Sequence, residues 1–359
     1  MATGPDALNA LDELDSGWWA GYVAYDLGRA IERIPTLTPP DPALPDLVLV
    51  RYGTRVTVDG ATTTVRGGPP LDDLLLSEPR DLDGTGVTGW RSSLDRDSFT
   101  TAVGTIRDHL TAGDCYQVNL TRRLTAPAEP DPVALYRRLV QHHPAPHAAL
   151  VRAQGVAVVS ASPERFLRRD GDRIETRPIK GTAADASVLT ASAKDRAENV
   201  MIVDLARNDL GRVCRYGSVH VPSLCEIEEH PGLYHLVSTV RGRLQRDVGW
   251  GDIIRATFPP ASVTGCPKPR VLEIIEHLEP VRRGVYCGAV GFIDADNDIA
   301  DLNVAIRTFT ITGGRTTFGV GGGIVADSDP AAEWTETELK ASKLLEIAAG
   351  EPVRLRGTA

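Results

Sequence analysis

The sequence lacks several features that would assign the chain to a class by themselves. No stretch of about eighteen apolar residues occurs among its 359 residues, so we expect no membrane-spanning helix. The N-terminus lacks the basic-then-apolar pattern of a signal peptide, which favours a cytoplasmic location. No dense run of Lys and Arg accompanies the net charge of -9, and this argues against a nucleic-acid partner.

Cysteine is scarce and scattered along the chain. The five cysteines are odd in number and form no C-x-x-C pair, so the sequence indicates neither a disulfide framework nor a zinc site. We expect buried free thiols instead. They are Cys115, Cys214, Cys225, Cys266 and Cys287.

Strands come in runs along this chain and do not alternate strictly with helices. This order favours an α+β fold with antiparallel sheets. A stretch rich in Gly, Pro and Asp at 69–93 indicates a surface linker, and we divide the chain into a short N-terminal region, 1–92, and a main domain, 93–359. The expected strands include 155–162, 172–177, 286–294, 301–311 and 316–325. The expected helices cover about 98–112, 188–210, 250–257, 267–278 and 330–349.

Acidic residues repeat at helical spacing in two of these predicted helices. Asp195 and Glu198 are three residues apart, and Glu333, Glu336 and Lys340 form a second stripe. A solvated helix face explains either set taken alone. Apolar residues adjoin both sets, however, and carboxylates beside buried turns need compensation. Two facing pairs of carboxylates would suit Mg²⁺, a hard cation that binds oxygen ligands.

A glycine-rich segment and an arginine suggest a site for an anion. GVGGGIV, at 319–325, follows a predicted strand and precedes a helix, so we expect a loop whose N–H groups approach an anion closely. A tight turn or a bulge explains the segment equally well. Alternation along the predicted strand places Arg307 opposite Ile306, where it could bind a carboxylate with two hydrogen bonds or lie on the surface.

Three further residues carry groups that could act in catalysis. Lys180, in TRPIKGT, lies beside an apolar residue, and partial burial would lower the pKa of its amine and make it nucleophilic. Glu164, in SASPERF, is a candidate general acid. His235, in LYHLVS, is more typical of a core histidine than of a catalyst. A lysine in a loop is also usually solvated.

Taken together, these motifs resemble those of one family, the chorismate-utilising synthases, which includes anthranilate, aminodeoxychorismate, isochorismate and salicylate synthases. The similarity extends from about Trp18 to Leu345. It implies two large, mainly antiparallel sheets packed as a sandwich, with helices outside, and chorismate as the substrate. The matching blocks are GDCYQVNLT (113–121), SPERF (162–166), ETRPIKGT (175–182), AENVMIVDLARNDLGRV (197–213), YHLVSTVRG (234–242), SVTGCPKPR (262–270), EPVRRGVYCGAVGFI (279–293), NVAIRT (303–308) and GVGGGIVADSDPAAEWTETELKA (319–341).

The resemblance also implies a role for each candidate residue. Glu198 and Glu336 would bind Mg²⁺ directly, with Asp195 and Glu333 nearby or acting through water, and the metal would hold the ring carboxylate of chorismate. Glu164 would protonate the departing C4 hydroxyl. The enolpyruvyl carboxylate would be bound by Arg307 and the backbone of Gly321, Gly322 and Gly323. The other residues placed against the substrate are His235, Lys340, Thr182, Thr264, Gly265 and Gln117.

Lys180 decides between the branches of this family. Anthranilate synthases have alanine in the motif PIAGT, whereas PIKGT resembles the aminodeoxychorismate synthase component I branch. There the lysine is thought to attack C2 before ammonia adds at C4, giving 4-amino-4-deoxychorismate for 4-aminobenzoate and folate synthesis. Gln117 stands where the water-using isochorismate branch has lysine. The sequence shows no glutaminase motif, so we expect a separate glutamine amidotransferase to supply the ammonia.

The sequence departs from the family pattern at two places, and two alternative functions remain open. The chain has PPAS at 259–262 where relatives often have PGGS, and few residues precede Gly17. A truncated or misassigned start would explain the second departure. The alternatives to amination at C4 are a lyase of the anthranilate or salicylate type, which eliminates pyruvate, and a non-catalytic paralogue that binds chorismate without turning it over.

Overall fold

The computed structural model describes residues 1–41, 43–70, 73, 86–230 and 233–350; most of the predicted linker therefore lies outside the described residues. The described helices are α1 Gly4–Asp12, α2 Gly28–Ile31, α3 Arg96–Thr111, α4 Pro132–His142, α5 Ala186–Ala191, α6 Ala193–Gly211, α7 Trp250–Thr257, α8 Lys268–Leu278 and α9 Pro330–Ala349. None of them is long and apolar enough to span a membrane.

The strands form two large sheets and one separate hairpin. They are β1 Trp18–Val23, β2 Leu47–Arg51, β3 Arg55–Asp59, β4 Thr62–Arg66, β5 Arg91–Ser92, β6 Gln117–Ala126, β7 His147–Ala153, β8 Val156–Ser162, β9 Arg165–Asp170, β10 Arg173–Arg177, β11 Ile179–Ala183, β12 His220–His230, β13 Leu233–Arg243, β14 Gly265–Cys266, β15 Ala289–Asp294, β16 Ile299–Val304, β17 Thr308–Thr312 and β18 Arg315–Ile324.

The first sheet has the order β11-β13-β10-β9-β16-β15-β1-β2, with β12 also paired to β13. The second has the order β14-β6-β18-β17-β8-β7, with β5 paired to β6. The register of each strand pair in both sheets is antiparallel. An apolar cluster joins residues of β1, β2 and β15 to residues of β7 and β8. The predicted α+β sandwich is therefore confirmed.

Helices cover the two outer faces of this sandwich. Apolar residues of α1, α6 and α7 pack with those of β9, β15 and β16 from the first sheet. Apolar residues of α4 and α9 pack on the second sheet. Apolar residues of α3 and α8 form a separate cluster with the same sheet. Burial of an apolar face is what stabilises such helices in a protein. All five cysteines are free thiols, and of these only Cys266 is partly exposed.

The predicted single strand at 301–311 is wrong. The chain leaves the first sheet after β16 and enters the second at β17, and the connecting residues 305–307 belong to neither strand. Arg307 adopts a left-handed conformation, with φ of 52°. Its side-chain direction is therefore set by this crossover and not by strand alternation, because such a φ is incompatible with an extended strand.

The predicted glycine loop at 319–325 is also wrong. Gly321, Gly322 and Gly323 lie within β18 and pair with β6. Neighbouring groups occupy the space that side chains would need: a Cβ at Gly319 would collide with the ring of Tyr286, and a Cβ at Gly323 would lie 3.0 Å from the amide of Gln117. Close approach of another group to the backbone is a common reason for glycine inside a strand.

The predicted helix at 188–210 consists of two helices, α5 and α6. The break falls at Ser192, which has an extended conformation and whose side chain accepts a hydrogen bond from the backbone N–H of Asp195. A serine in this position satisfies one of the free N–H groups at a helix start. The break thus fixes where α6 begins, and with it the direction of the acidic residues in its first turns.

Candidate active site

A cavity of about 560 Å³ opens where the two sheets meet helices α6 and α9. Most of the predicted site residues line it, although they come from distant parts of the sequence. They are Glu164, Lys180, Thr182, Asp195, Glu198, His235, Arg307, Gly321, Gly322, Gly323, Glu333, Glu336 and Lys340.

Two wall segments of the cavity are segments where the chain crosses from one sheet to the other. Glu164 follows β8 of the second sheet and precedes β9 of the first, while Arg307 lies on the return from β16 to β17. The crossovers are bonded to the neighbouring strands: the N–H of Val304 donates to the carbonyl of Glu164 at 3.0 Å, and that of Ala161 donates to the carbonyl of Arg307 at 3.0 Å. We call this pair of segments the crossover wall.

Glu164 is buried within the crossover wall. Burial raises the pKa of its carboxyl group to about 7, although a hydrogen bond from Ser262 and the positive charge of Lys180 oppose the rise. A buried carboxyl group is costly when ionised, so its proton is retained to higher pH. Glu164 can therefore hold a proton near neutral pH.

Arg307 is held from behind by a histidine that the sequence analysis did not identify. Its Nη1 lies 3.1 Å from Nε2 of His143. Burial, together with the charge of Arg307, lowers the pKa of His143 to about 4, so the imidazole is neutral and accepts this hydrogen bond. The two residues are 164 positions apart, and no local pattern connects them. The other N–H groups of Arg307 make no side-chain hydrogen bond to the described residues, and Arg307 lines the cavity.

Lys180 lies on β11 at a point where the strand is irregular. Its register with β13 shifts between Lys180 and Thr182, and Gly181 between them has φ of 78°. A side chain at Gly181 would also press against Asp195, 3.0 Å away. Burial lowers the pKa of Lys180, and the charges of Glu198 and Glu164 oppose this only in part. The bulge thus directs an amine with a lowered pKa into the cavity.

His235 and Thr182 meet across neighbouring strands. Nδ1 of His235 lies 2.9 Å from the hydroxyl of Thr182. Burial lowers the pKa of His235 to about 4, and the charge of Arg307 acts in the same direction. The ring is therefore neutral at physiological pH and can act through hydrogen bonds, not as a cation.

Helices α6 and α9 carry the acidic residues on the opposite side of the cavity, which we call the helix wall. Lys340 bonds Glu336 at 2.6 Å, and Lys194 lies 3.9 Å from Glu198. Glu333 accepts a hydrogen bond of 2.6 Å from Ser328. Each of these three carboxylates thus has a partner from the chain itself.

The helix wall has the donor chemistry of a site for a hard cation. Burial raises the pKa of Glu198 and of Glu333, which indicates that nearby positive charge does not fully compensate these carboxylates. Carboxylate oxygens are the ligands that Mg²⁺ takes. Among the described residues, however, no three His, Cys, Asp or Glu side chains already converge on one point. The residues suit the ion in chemical type and line the same cavity, but their side chains do not form a complete set of ligands around one point.

The unpaired edge of β18 forms the floor of the cavity between these walls. Beyond residue 318 this strand extends past β17 and pairs only with β6 among the described residues. The amine of Lys340 donates to the carbonyl of Gly321 at 3.1 Å, so this carbonyl points to the open edge. The N–H and C=O of one strand residue point to the same side, so the N–H groups of Gly321 and Gly323 face the cavity as well.

Three predicted residues lie behind the cavity and not on its surface. The buried hydroxyl of Thr264 donates to the carbonyl of Pro260 at 3.0 Å. Gly265 pairs with Val118 of β6. Gln117 is fully buried beside Gly323. The cavity is lined instead by residues that the sequence analysis did not single out: Asn119, Ser262, Val263 and Tyr286.

Comparison with known proteins identifies the family. The profile of the chorismate binding enzyme family matches residues 4–346. Aminodeoxychorismate synthase component 1 of Escherichia coli is 39% identical over 344 residues, which cover 90% of this chain and 75% of that protein. The same enzyme of Klebsiella aerogenes is 41% identical over 343 residues, covering 90% and 76%. The crystal structure of anthranilate synthase component I from Streptococcus pneumoniae superposes with a TM-score of 0.85 at 28% identity, covering 94% of this chain and 85% of that one. The chain therefore belongs to the family of chorismate binding enzymes.

Proposed function

We propose that this enzyme is component I of an aminodeoxychorismate synthase, which converts chorismate and ammonia to 4-amino-4-deoxychorismate for 4-aminobenzoate and folate synthesis. One observation carries the proposal: the buried amine of Lys180 enters the same cavity as Glu164 and Arg307. A nucleophile, an acid and a carboxylate clamp in one cavity match the needs of this substitution.

Binding of chorismate would use both walls. Arg307 and the N–H groups of Gly321 and Gly323 would bind the enolpyruvyl carboxylate, since all three residues offer N–H donors to the same cavity. Glu198 and Glu336 would hold Mg²⁺, with Asp195 and Glu333 close by or acting through water. The ion, when bound, supplies positive charge for the ring carboxylate.

The reaction would proceed as a double displacement. The lone pair of Lys180 forms a bond to C2 of the ring, the ring double bonds shift, and the C4–O bond breaks. Glu164 gives its proton to the departing oxygen, which leaves as water. Ammonia then forms a bond to C4 while the C2–N bond breaks and its electron pair returns to Lys180. The surplus proton of the incoming nitrogen restores Glu164.

The source of ammonia would be a glutamine amidotransferase subunit. The relative from Escherichia coli is named component 1, which implies a second component. Lyase activity of the anthranilate type is the alternative, because the structural relative from Streptococcus pneumoniae carries that name. A lysine at position 180 favours amination at C4, since direct attack of ammonia at C2 requires no enzyme nucleophile there.

Replacement of Lys180 tests the proposal. The purified chain is incubated with chorismate, Mg²⁺ and an ammonium salt, and the products are identified by mass spectrometry. We expect 4-amino-4-deoxychorismate from the unchanged protein and none from Lys180→Ala, because the first displacement has lost its nucleophile.

Lys194→Ala is the matched control, since this lysine lines the same cavity but its side chain is 60% exposed. The Lys194→Ala variant should still form 4-amino-4-deoxychorismate. Anthranilate and pyruvate from the unchanged protein, or an undiminished 4-amino product from Lys180→Ala at an unchanged melting temperature, would contradict the proposal.

A further inference from the structure

A second, smaller cavity lies behind Glu164. Its volume is about 30 Å³, and residues of α6, β9, β10 and the segment that follows α7 enclose it. Two residues, Glu164 and Ser262, line both this space and the large cavity of the site. We call the small space the rear cavity. Glu164 therefore lies on the boundary between the two spaces.

The rear cavity is suited to hold water. A single buried water molecule needs roughly 10–15 Å³ of such space and about two to four polar partners. Most of the lining side chains are apolar, but five are polar: Glu164, Thr176, Asp209, Thr257 and Ser262. The hydroxyl of Thr257 donates to the carbonyl of Ile253 at 2.8 Å, and its oxygen can still accept a hydrogen bond. The space is thus large enough and polar enough for at least one water molecule.

Asp209 connects the rear cavity with the protein surface. It pairs with Nζ of Lys268 at 3.0 Å, and the side chains of Lys268 and Asp209 are 13% and 14% exposed. Nζ of Lys268 also donates to the carbonyl of Thr257 at 3.2 Å. Burial raises the pKa of Asp209, and the charge of Glu32 adds to this rise. The charges of Lys268 and Arg212 oppose it. The rear cavity therefore has two titratable carboxyl groups, one at the active site and one with access to solvent.

In the proposed reaction, Glu164 must carry its proton while chorismate is bound, because it protonates the departing oxygen. Its pKa is about 7, so a large share of the molecules carries the carboxylate at neutral pH. The charged groups that act on it from the large cavity are Lys180 and Arg307. Neither can supply the proton, since the amine of Lys180 is the nucleophile and arginine keeps its charge. Chorismate in the large cavity would also separate Glu164 from solvent on that side.

We propose that the rear cavity is a proton path between Glu164 and solvent, an inference that rests on the proposed role of Glu164 as general acid. Water in the rear cavity gives a proton to the carboxylate of Glu164 and takes one from the carboxyl group of Asp209, which regains it from solvent. One O–H bond forms for each that breaks. The incoming nitrogen restores Glu164 after a complete turnover, whereas the path protonates complexes that formed with Glu164 ionised, without release of chorismate.

Stopped-flow mixing tests the path. The protein is loaded with chorismate and Mg²⁺ at a pH well above the pKa of Glu164, and is then mixed with an ammonium buffer well below it. In a reference sample, chorismate arrives together with the ammonium buffer, so that Glu164 is protonated before binding. Consumption of chorismate is followed by its absorbance. For the unchanged protein we expect both samples to react promptly, because the path protonates Glu164 in the loaded complex.

Two variants block the path at different points. Ala206→Val fills the rear cavity from α6, and Asp209→Asn removes the outer carboxyl group. In both variants the loaded sample should lose its prompt phase and show a lag as long as the dissociation of chorismate, measured separately, while the reference sample should show none. Lys268→Met is the matched control, because it breaks the same ion pair but keeps the carboxyl group of Asp209. Its loaded sample should react promptly.

The reference sample separates a blocked path from a damaged site, since damage slows both samples alike. A lag in the loaded unchanged protein, or no lag in either Ala206→Val or Asp209→Asn, overturns the inference. An amino group at C2 of the product would contradict the proposed function instead. Consumption of chorismate would still report on the proton of Glu164 in that case, because the C4 hydroxyl departs in both reactions.

Discussion

The two walls of the cavity hold their charged groups in different ways. On the helix wall, Glu198 and Glu336 have lysines of the same helix beside them, so their placement follows from helical spacing. On the crossover wall, Glu164 and Arg307 are placed by hydrogen bonds between segments more than 130 residues apart in sequence, as in the bond from Val304 to Glu164. In the proposed function, several carboxylates of the helix wall would together hold Mg²⁺. The crossover wall has a single proposed proton donor, Glu164, and a single proposed carboxylate-binding side chain, Arg307.

This difference predicts that replacing a single side chain lowers kcat most on the crossover wall. Glu164→Gln keeps the shape of the side chain but cannot donate a carboxyl proton. We expect kcat to fall by roughly 10²–10⁴-fold, the usual contribution of a general acid. Steady-state kinetics and the melting temperature are to be measured together, and a loss below tenfold would show that another group protonates the leaving oxygen.

The pH dependence of kcat tests the same proposed role of Glu164. The pKa of Glu164 is about 7, so the carboxyl group is mostly protonated below that pH and mostly ionised above it. A general acid acts only while it holds its proton, and kcat should therefore fall as the pH rises through about 7. The residual kcat of Glu164→Gln should not show this fall with rising pH.

On the helix wall we expect a smaller effect that depends on the metal concentration. Glu333→Gln can still accept the hydrogen bond from Ser328 but removes one negative charge of four. The affinity for Mg²⁺, measured by equilibrium binding, should fall by about tenfold, as for other groups around a metal. Activity at saturating Mg²⁺ should recover, and a loss that excess metal does not restore would place Glu333 in the chemistry itself.

The smallest effect is expected behind the crossover wall. His143→Phe removes the acceptor for Nη1 of Arg307 while filling a similar volume. Arg307 keeps its charge and loses only an orienting hydrogen bond, so we expect a cost of about 0.5–1.5 kcal/mol, and the KM for chorismate should rise roughly two- to tenfold with little change in kcat. His143→Gln, which retains an acceptor, is the matched control and should lie closer to the unchanged protein.

What could be predicted from the sequence follows the same division between local and distant contacts. Several of the longer helices and the acidic stripes were predicted because they repeat at 3.6 residues, and the sandwich because nine blocks resemble one family. The helix Pro132–His142 was not predicted. The split of 301–311 into two strands was missed, since only the pairing partners of β16 and β17 reveal it.

The glycine segment was misread for a related reason. A run of glycines usually indicates a loop, but here Tyr286 and Gln117 occupy the space of the missing side chains, and both are distant in sequence. His143 and Asn119 were not recognised as residues of the site because distant contacts place them there. His143 contacts Arg307, and the backbone of Asn119 contacts Thr264 and Arg283. Such contacts leave no periodic signal.

The bonds that tie the crossovers to their neighbours also bear on how the enzyme moves. Because Glu164 and Arg307 lie on two of the connections between the sheets, sliding of one sheet over the other would separate the proposed proton donor from the proposed carboxylate-binding residue. The hydrogen bonds from the crossovers to the neighbouring strands oppose such sliding. The lysine–glutamate pairs of the helix wall each lie within a single helix, so they can part and re-form without disturbing these bonds.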